Sequence, residues 1–239
     1  MAQYKIGVLI PTTSRNRPLW KNIQQTTLYN TMLPSFFNTL NPEHKYTFYI
    51  GIDPDDRIFT NEMQITKILN VFRGVEFKFI KLYNVKNGHL TRMWNMLFKI
   101  AYNDNCNYFY QCGDDIKFLT KGWVNASIVA LKKNNNIGIS GPITQNIHIL
   151  TQVMVSRKHM DIFGWFFQEE ILNWFCDNWY CSVYRSNNYI PLLNYKCINM
   201  GGKERYIIAH TDKIKNDVCV IINRDKLLLK KYFSNIVKI

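Results

Sequence analysis

The stretch Tyr108-Phe-Tyr-Gln-Cys-Gly-Asp-Asp-Ile-Lys-Phe118 carries the most information about the architecture and chemistry of this chain. Its apolar and aromatic residues lead into a glycine and two adjacent carboxylates, which predicts a buried strand with Asp114 and Asp115 at its end. Because neighbouring strand side chains point to opposite faces, we expect one carboxylate to contact a cation and the other to orient a ligand or a nearby helix. A turn with solvated charges is the alternative interpretation.

Length and composition predict one large folded domain. The chain has 239 residues, of which 47% are hydrophobic and 15% aromatic, so a sizeable core can form. Its longest apolar runs, such as residues 6–10, are too short to span a bilayer, and the N-terminus lacks the pattern of a secretion signal. We therefore expect a soluble protein of the cytoplasm without a transmembrane segment.

The cysteine pattern predicts reduced thiols with structural roles. There is no Cys-x-x-Cys pair and no histidine at zinc-finger spacing. The six cysteines are Cys106, Cys112, Cys176, Cys181, Cys197 and Cys219.

The formal charge of +13, from 30 Lys and Arg against 17 Asp and Glu, predicts attraction to a polyanion. Nucleic acid, an anionic membrane surface and a small phosphorylated ligand such as a nucleotide diphosphate all fit this charge. A basic surface that is simply solvated is the alternative, because the basic residues are spread along the chain.

The first half alternates strands and helices. Strands are predicted at 4–10, 45–52, 75–80 and from Tyr108 up to Gly113, and helices at 19–40, 60–72 and after Asn87-Gly88, which indicates a mainly parallel sheet with covered faces. Ligands of such sheets bind beyond the carboxyl ends of the strands. Thr12, Thr13 and Arg15 are thus placed to meet a nucleotide, or else to cap the first helix.

The second half contains a helix at 122–133, strands at 137–142 and 153–156, and an aromatic stretch at 163–180. Glu169, Glu170 and Asp177 lie within that stretch, where a partly apolar wall raises carboxylate pKa values and favours proton abstraction. A plain aromatic core is the alternative. Residues 205–210 are predicted to form a strand ending at His210, which is either a metal ligand or a structural histidine.

Taken in order, these residues resemble the GT-A class of nucleotide-sugar glycosyltransferases, close to its large inverting family-2-like group, over residues 4–212. The composition also looks like that of stand-alone transferases of AT-rich genomes, including large DNA viruses. The resemblance implies an α/β, Rossmann-like fold with a mainly parallel central sheet flanked by helices and a small antiparallel part in the second half. It divides the single domain 1–239 into a nucleotide-binding half 1–118, an acceptor and catalytic half 119–212 and a helical tail 213–239.

The same resemblance implies roles for individual residues. Asp177 corresponds to the catalytic base, Asp115 and His210 to ligands of Mn²⁺ or Mg²⁺, and acceptor or sugar contacts fall to Trp165, Glu169, Glu170 and Trp179. Two cysteines, Cys112 and Cys176, stand where the family usually has acids. The residues implied in binding the donor nucleotide are Pro11, Thr12, Thr13, Arg15, Asp53, Asn87, Asn95 and Asp114.

The partners implied are a nucleotide-diphosphate sugar, with a UDP-sugar favoured, and a glycan, protein or small-molecule acceptor, but no nucleic acid. For a viral protein the location would be the host cytoplasm. Two other functions remain open. Gly-Asp-Asp after an aromatic strand also fits a polymerase or nucleotidyl transferase, although this chain is short for one. Cys112 and Cys176 also fit a degenerate, non-catalytic domain that binds glycans or a partner.

Overall fold

A computed structural model describes residues 2–185, 188–202, 204–206 and 212–236, and its strands form one mixed sheet of eight. The strand order is β3-β2-β1-β4-β7-β6-β8-β5. Four of these strands come from the first half of the chain and lie side by side, so the predicted parallel half-sheet is confirmed.

The parallel half comprises β1 (Lys5–Thr12), β2 (Lys45–Ile52), β3 (Glu76–Lys81) and β4 (Tyr108–Gln111). Strands β1, β2 and β4 are nearly continuous apolar runs because helices cover both faces of the sheet. Strand β1 pairs in parallel with both β2 and β4, which places it at the centre.

The other half comprises β5 (Ile116–Phe118), β6 (Ile139–Ile143), β7 (Val153–Ser156) and β8 (Tyr189–Asn199). Strand β7 joins the parallel half by pairing antiparallel to β4. Strands β6 and β8 run parallel to each other, and β5 pairs antiparallel to β8. This is the antiparallel part expected of the second half.

Helices pack on both faces of the sheet and enclose two apolar clusters. One cluster lies under α3, α5, α6 and α7, and the other under α1, α2 and α4. The helices are α1 (Leu33–Thr39), α2 (Glu62–Val71), α3 (Leu90–Asn103), α4 (Trp123–Lys133), α5 (Lys158–Phe163), α6 (Cys176–Val183) and α7 (Asp212–Ile236).

The helix predicted at 19–40 is shorter and less regular than expected. A 3₁₀ turn at Ile23–Gln25 is followed by a π-helical turn at Leu28–Met32, and only Leu33–Thr39 is α-helical. Pro34 lies in the first turn of α1, where its missing N–H is tolerated, but it cannot continue an α-helical hydrogen-bond ladder from the residues before it.

The predicted strand at 205–210 is absent from its described portion, since Arg205 and Tyr206 lie in a bend. The remainder of that segment, including His210, lies outside the described residues.

The C-terminal helix belongs to the core. Val218, Ile221, Ile222 and Leu229 of α7 are buried in the same cluster as α6. None of the helices in the described ranges combines the length and apolar character needed to cross a bilayer.

Candidate active site

The parallel strands direct their carboxyl ends to one edge of the sheet, and strand order reverses between β1 and β4. Ligands of open α/β sheets bind at such a point. A cavity of about 360 Å³ lies there. Its lining includes Thr12 from β1, the acids Asp114 and Asp115 after β4, Asp177 from α6, and Arg205.

The loop after β1 is fixed by two acids that follow β2. Asp56 accepts hydrogen bonds from the backbone N–H of Ser14 at 2.5 Å and from the Thr13 hydroxyl at 3.1 Å. Asp53 accepts from the same hydroxyl at 2.8 Å and from Nε of Arg15 at 2.8 Å. The structure thus brings Thr13, Arg15 and Asp53 together, with Asp56 anchoring the loop.

Residues 204–206 lie across this edge and pair with two predicted nucleotide-binding acids. Nη1 of Arg205 is 2.5 Å from Oδ2 of Asp114, and the Tyr206 hydroxyl donates to Asp53 at 3.0 Å. Asp114 also accepts a hydrogen bond from the Thr12 hydroxyl at 2.5 Å. A nucleotide that reaches Asp53 and Asp114 therefore has to share or replace the contacts of this segment.

Asp115, the second acid after Gly113, has different surroundings from Asp114. Burial, together with the charge of Asp114, raises the pKa of Asp115. The salt bridges of the described residues include Asp114 but not Asp115. Gly113 makes room for this conformation, since a Cβ there would lie 2.7 Å from Oδ1 of Asp115. Asp115 thus forms no salt bridge among those residues, although the nearby charges of Arg205 and Arg17 favour its ionised form.

The two adjacent carboxylates fit a hard divalent cation. Mg²⁺ typically takes one or two carboxylates and completes its shell with water and substrate phosphates. A cation beside Asp115 would also offset the repulsion from Asp114 that raises its pKa. Within the described ranges, no three His, Cys, Asp or Glu side chains are placed to hold one metal ion. His210 is not among the described residues.

Asp177 lies in the first turn of α6 and lines the cavity. Phe175, in a left-handed conformation with φ of 70°, turns the chain into this helix. The Asp177 carboxylate accepts hydrogen bonds from the Tyr180 hydroxyl at 3.1 Å and from Sγ of Cys176 at 3.6 Å. Burial outweighs both bonds and raises the pKa of Asp177 to about 7. A carboxylate with this pKa is suited to accept a proton from a hydroxyl.

The two cysteines that replace family acids are buried, neutral thiols. Burial raises the pKa of Cys112 far above its usual range, and burial and the charge of Asp177 do the same for Cys176. All six cysteines of the chain are free. Cys176 therefore contributes a hydrogen-bond donor to Asp177, whereas Cys112 contributes no charge to the site.

Several residues predicted to contact a sugar lie outside the cavity lining. Trp179 is fully buried, and its indole N–H donates to Asp225 at 2.9 Å, so it cannot stack on a sugar. Trp165 packs against the core. Glu170 is exposed and pairs with Arg224 at 2.7 Å. Aromatic density in the sequence did not distinguish core rings from cavity rings.

Three other predicted residues also lie apart from this cavity. Asn95 is buried, accepts from the N–H groups of Phe166 and Phe167, and donates to Glu169 at 3.1 Å. Asn95 therefore anchors the loop after α5 to α3, and Glu169 is part of the same hydrogen-bonded contact. Asn87 lines a second, neighbouring cleft of about 880 Å³.

Several cavity residues were not predicted from the sequence. Trp174 lines the cavity with 39% of its surface exposed, unlike the buried Trp179. Gln111 lines it as the one amide in an otherwise aromatic strand, which is a signal that the sequence did contain. Arg205 and Tyr206 reach it from a segment predicted as a strand.

No protein-family model matches the sequence, and no curated protein matches it. Solved structures match its fold. TarS residues 1–349 from S. aureus, in complex with UDP, superpose with a TM-score of 0.59 at 11% identity over 92% of this chain and 65% of that chain. The same protein in complex with UDP-GlcNAc gives a TM-score of 0.61 at 11% identity, over 92% and 66% of the two chains.

A mannosyltransferase, PcManGT from Pyrobaculum calidifontis, in complex with GDP-Man and Mn²⁺, gives a TM-score of 0.60 at 7% identity. The match covers 84% of this chain and 58% of that chain. This chain therefore spans less than two thirds of the length of these neighbours. Its fold is the GT-A-like fold of nucleotide-sugar glycosyltransferases.

Proposed function

We propose that this chain is a glycosyltransferase that moves a sugar from a nucleotide-diphosphate donor to an acceptor hydroxyl. The observation that carries the proposal is one cavity, at the strand-order reversal of a GT-A-like sheet, that contains both a pair of adjacent acids and a separate carboxylate with a pKa of about 7. Structural neighbours in complex with UDP, UDP-GlcNAc and GDP-Man support the donor class.

The donor nucleotide would bind along the loop after β1. Thr12, Thr13, Asp53 and Asp114 offer hydroxyls and carboxylates for the ribose and the base, and Arg15 adds a positive charge. Pro11 shapes the cavity wall beside them. A UDP-sugar is the favoured donor.

Asp115, with Asp114 beside it, would hold Mn²⁺ or Mg²⁺. The bound ion supplies positive charge to the diphosphate leaving group. Arg17 and Arg205 line the same cavity and add charge for the phosphates, and Asp114 keeps Arg205 in place.

Asp177 would accept the proton of the acceptor hydroxyl while the hydroxyl oxygen attacks the anomeric carbon. The bond between that carbon and the diphosphate oxygen breaks, and its electron pair leaves with the nucleoside diphosphate. Attack from the side opposite the leaving group inverts the anomeric configuration. A positioned base of this kind typically contributes about 100-fold to 10,000-fold in rate.

A thermal-shift screen tests the proposed donor class. UDP, UDP-GlcNAc, GDP and GDP-Man are added with and without Mn²⁺, since a ligand that binds only the folded state raises Tm. We expect at least one nucleotide sugar to raise Tm more with Mn²⁺ than without it. In D115N the gain from Mn²⁺ should disappear.

The matched control is D161N, which changes an exposed aspartate on α5 outside the cavity and should respond like the parent. Failure of all four nucleotides to shift Tm of the parent protein would overturn the proposal. A shift that is unchanged in D115N would overturn the role given to Asp115.

A further inference from the structure

Gln111 ends β4 on the face that carries Leu9 and Val153, its partners on the neighbouring strands. Its side chain is 1% exposed and lines the cavity. The carboxamide oxygen is buried and has no hydrogen-bond partner among the described residues. A buried polar group in this state carries a desolvation cost without compensation.

Two other polar side chains at this edge of the sheet form hydrogen bonds within the protein. Gln152 accepts a hydrogen bond from the N–H of Gly113 at 2.8 Å, and Thr12 donates to Asp114. Buried side-chain atoms without partners occur at seven residues in the described ranges, and Gln111 is the one among them that lines the cavity. An unpaired buried amide oxygen in the cavity wall indicates that a bound ligand supplies its missing hydrogen bond.

We propose that Gln111 binds hydroxyl groups of the donor's sugar and so helps to select it. This inference rests on the function proposed above. A carboxamide offers one acceptor and one donor side by side, and two adjacent sugar hydroxyls can pair with both. Gln111 lines the same cavity as Asp115 and Asp177. In the proposed function, Asp115 holds the metal ion at the diphosphate and Asp177 accepts the proton of the acceptor. The sugar has to lie between those two groups.

The test compares sugar nucleotides with the same nucleotides lacking the sugar. Calorimetry with Mn²⁺ measures Kd for UDP-GlcNAc and UDP, and for GDP-Man and GDP, in the parent protein and in Q111M. Methionine keeps the length of the side chain and removes its polar atoms. We expect Kd for the bound sugar nucleotide to rise about tenfold, as for the loss of one or two neutral hydrogen bonds, and Kd for the nucleotide alone to stay unchanged.

The matched control is S127A, which removes another buried, unpaired polar atom on α4, away from the cavity. Both variants should keep or exceed the parental Tm without ligand, because the lost atom made no bond in the free protein. Only Q111M should lose affinity for the sugar nucleotide. A second variant, Q111N, keeps the amide but withdraws it by one methylene and should show the same selective loss.

Two results would overturn the inference while leaving the proposed function intact. One is that Q111M and Q111N bind both the sugar nucleotide and the nucleotide with the parental Kd. The other is an equal loss for nucleotide and sugar nucleotide, which would show that Gln111 only shapes the nucleotide site. If the parent protein binds none of the four ligands, the proposed function fails first and this inference fails with it.

Discussion

The buried surroundings of Asp177 disfavour its ionised form. The protein encloses it so that its pKa rises to about 7, while the Tyr180 hydroxyl and the Cys176 thiol hold its orientation. Near neutral pH a large fraction is ionised and ready to accept a proton. Burial therefore provides a base whose pKa matches the pH at which it would work.

The pH dependence of turnover follows from this pKa. With a donor and acceptor that the parent protein turns over, kcat/KM should rise about tenfold per pH unit below pH 7 and level off above it, because only the ionised carboxylate accepts the proton. D177N should lower kcat about 100-fold or more. Initial rates from pH 5 to 9 measure both effects, with D161N as the control. A D177N protein with parental kcat would exclude Asp177 as the base.

The same residue should make stability depend on pH. The folded-state pKa of about 7 lies above the value of about 3.9 for an unfolded aspartate, so the folded state binds more protons between these values. The contribution of Asp177 to the free energy of unfolding therefore falls as pH rises from about 4 to about 7. Asparagine does not ionise, so D177N should melt at least about 2 °C above the parent at pH 8, the shift expected for about 1 kcal/mol.

That difference in Tm should shrink at pH 4.5, where Asp177 of the parent is protonated in the fold. Thermal unfolding at the two pH values measures it. A difference of the same size at both values would argue against the raised pKa.

Gly113 makes room for Asp115, the proposed metal ligand. A Cβ at this position meets Oδ1 of Asp115 at 2.7 Å, so G113A should displace that carboxylate. We expect nucleotide affinity in Mn²⁺ to fall about tenfold, the effect of roughly 1.4 kcal/mol. In a double-mutant cycle, G113A should add little to D115N because both changes remove the same interaction. Additive losses would show that Gly113 acts elsewhere.

The loop, strand and helix around the site were predicted to different extents. Strand β2 was predicted with its observed bounds at 45–52, and β4 was recognised with its following acids, because each is an apolar run that ends at polar residues. The 19–40 segment was overpredicted as one helix, since apolar spacing alone does not show where Pro34 interrupts the backbone ladder.

The second half was harder to predict because its cues are not periodic. Helices α5 and α6 lie in or beside an aromatic stretch where every face carries a ring. Strand β8 is mostly half-buried or exposed, so it lacks an apolar run. Asp114 and Asp115 were identified by their position at a strand end, and Asp177 by its place in the aromatic stretch and by the resemblance, whereas Glu204 was not predicted. Trp174 and Trp179 differ only in tertiary packing, which composition does not show.

Helix α7 is expected to stabilise α6, which carries the proposed base Asp177. Asp225 of α7 is buried and accepts from the indole of Trp179, two residues after Asp177, and from Nε of Arg224. D225A should lower the free energy of unfolding by about 1–3 kcal/mol, because it leaves the buried indole N–H unpaired. Denaturant unfolding measures this loss.

The control for D225A is D217A, which removes an exposed aspartate from the same helix and should change stability by less than about 0.5 kcal/mol. Equal effects of the two substitutions would mean that the contact with Trp179 contributes nothing.

The charge of the chain and the charge of its cavity have opposite signs. The chain carries +13, whereas the described cavity lining has four acids and two arginines. The four acids are Asp114, Asp115, Asp177 and Glu204, and the arginines are Arg17 and Arg205. A basic surface attracts a nucleotide diphosphate, but an acidic pocket does not hold one without an added cation.

Nucleotide affinity should therefore depend strongly on a divalent ion. Chelation of metal should raise Kd for UDP or GDP at least about tenfold at pH 8, and the loss should be smaller at pH 5, because the raised pKa of Asp115 favours its protonated form in acid and a protonated carboxyl binds the metal weakly. Calorimetry at the two pH values, with Mn²⁺ and with chelator, measures this. Equal affinity in chelator would show that Arg17 and Arg205 suffice for the phosphates.

The most direct measurement is a crystal structure of the chain with Mn²⁺ and the nucleotide sugar that gives the largest thermal shift. We expect the ion at Asp115, the diphosphate beside it and the anomeric carbon in the cavity facing Asp177. A donor bound elsewhere, or a cavity that stays empty of donor at saturating concentration, would contradict this expectation.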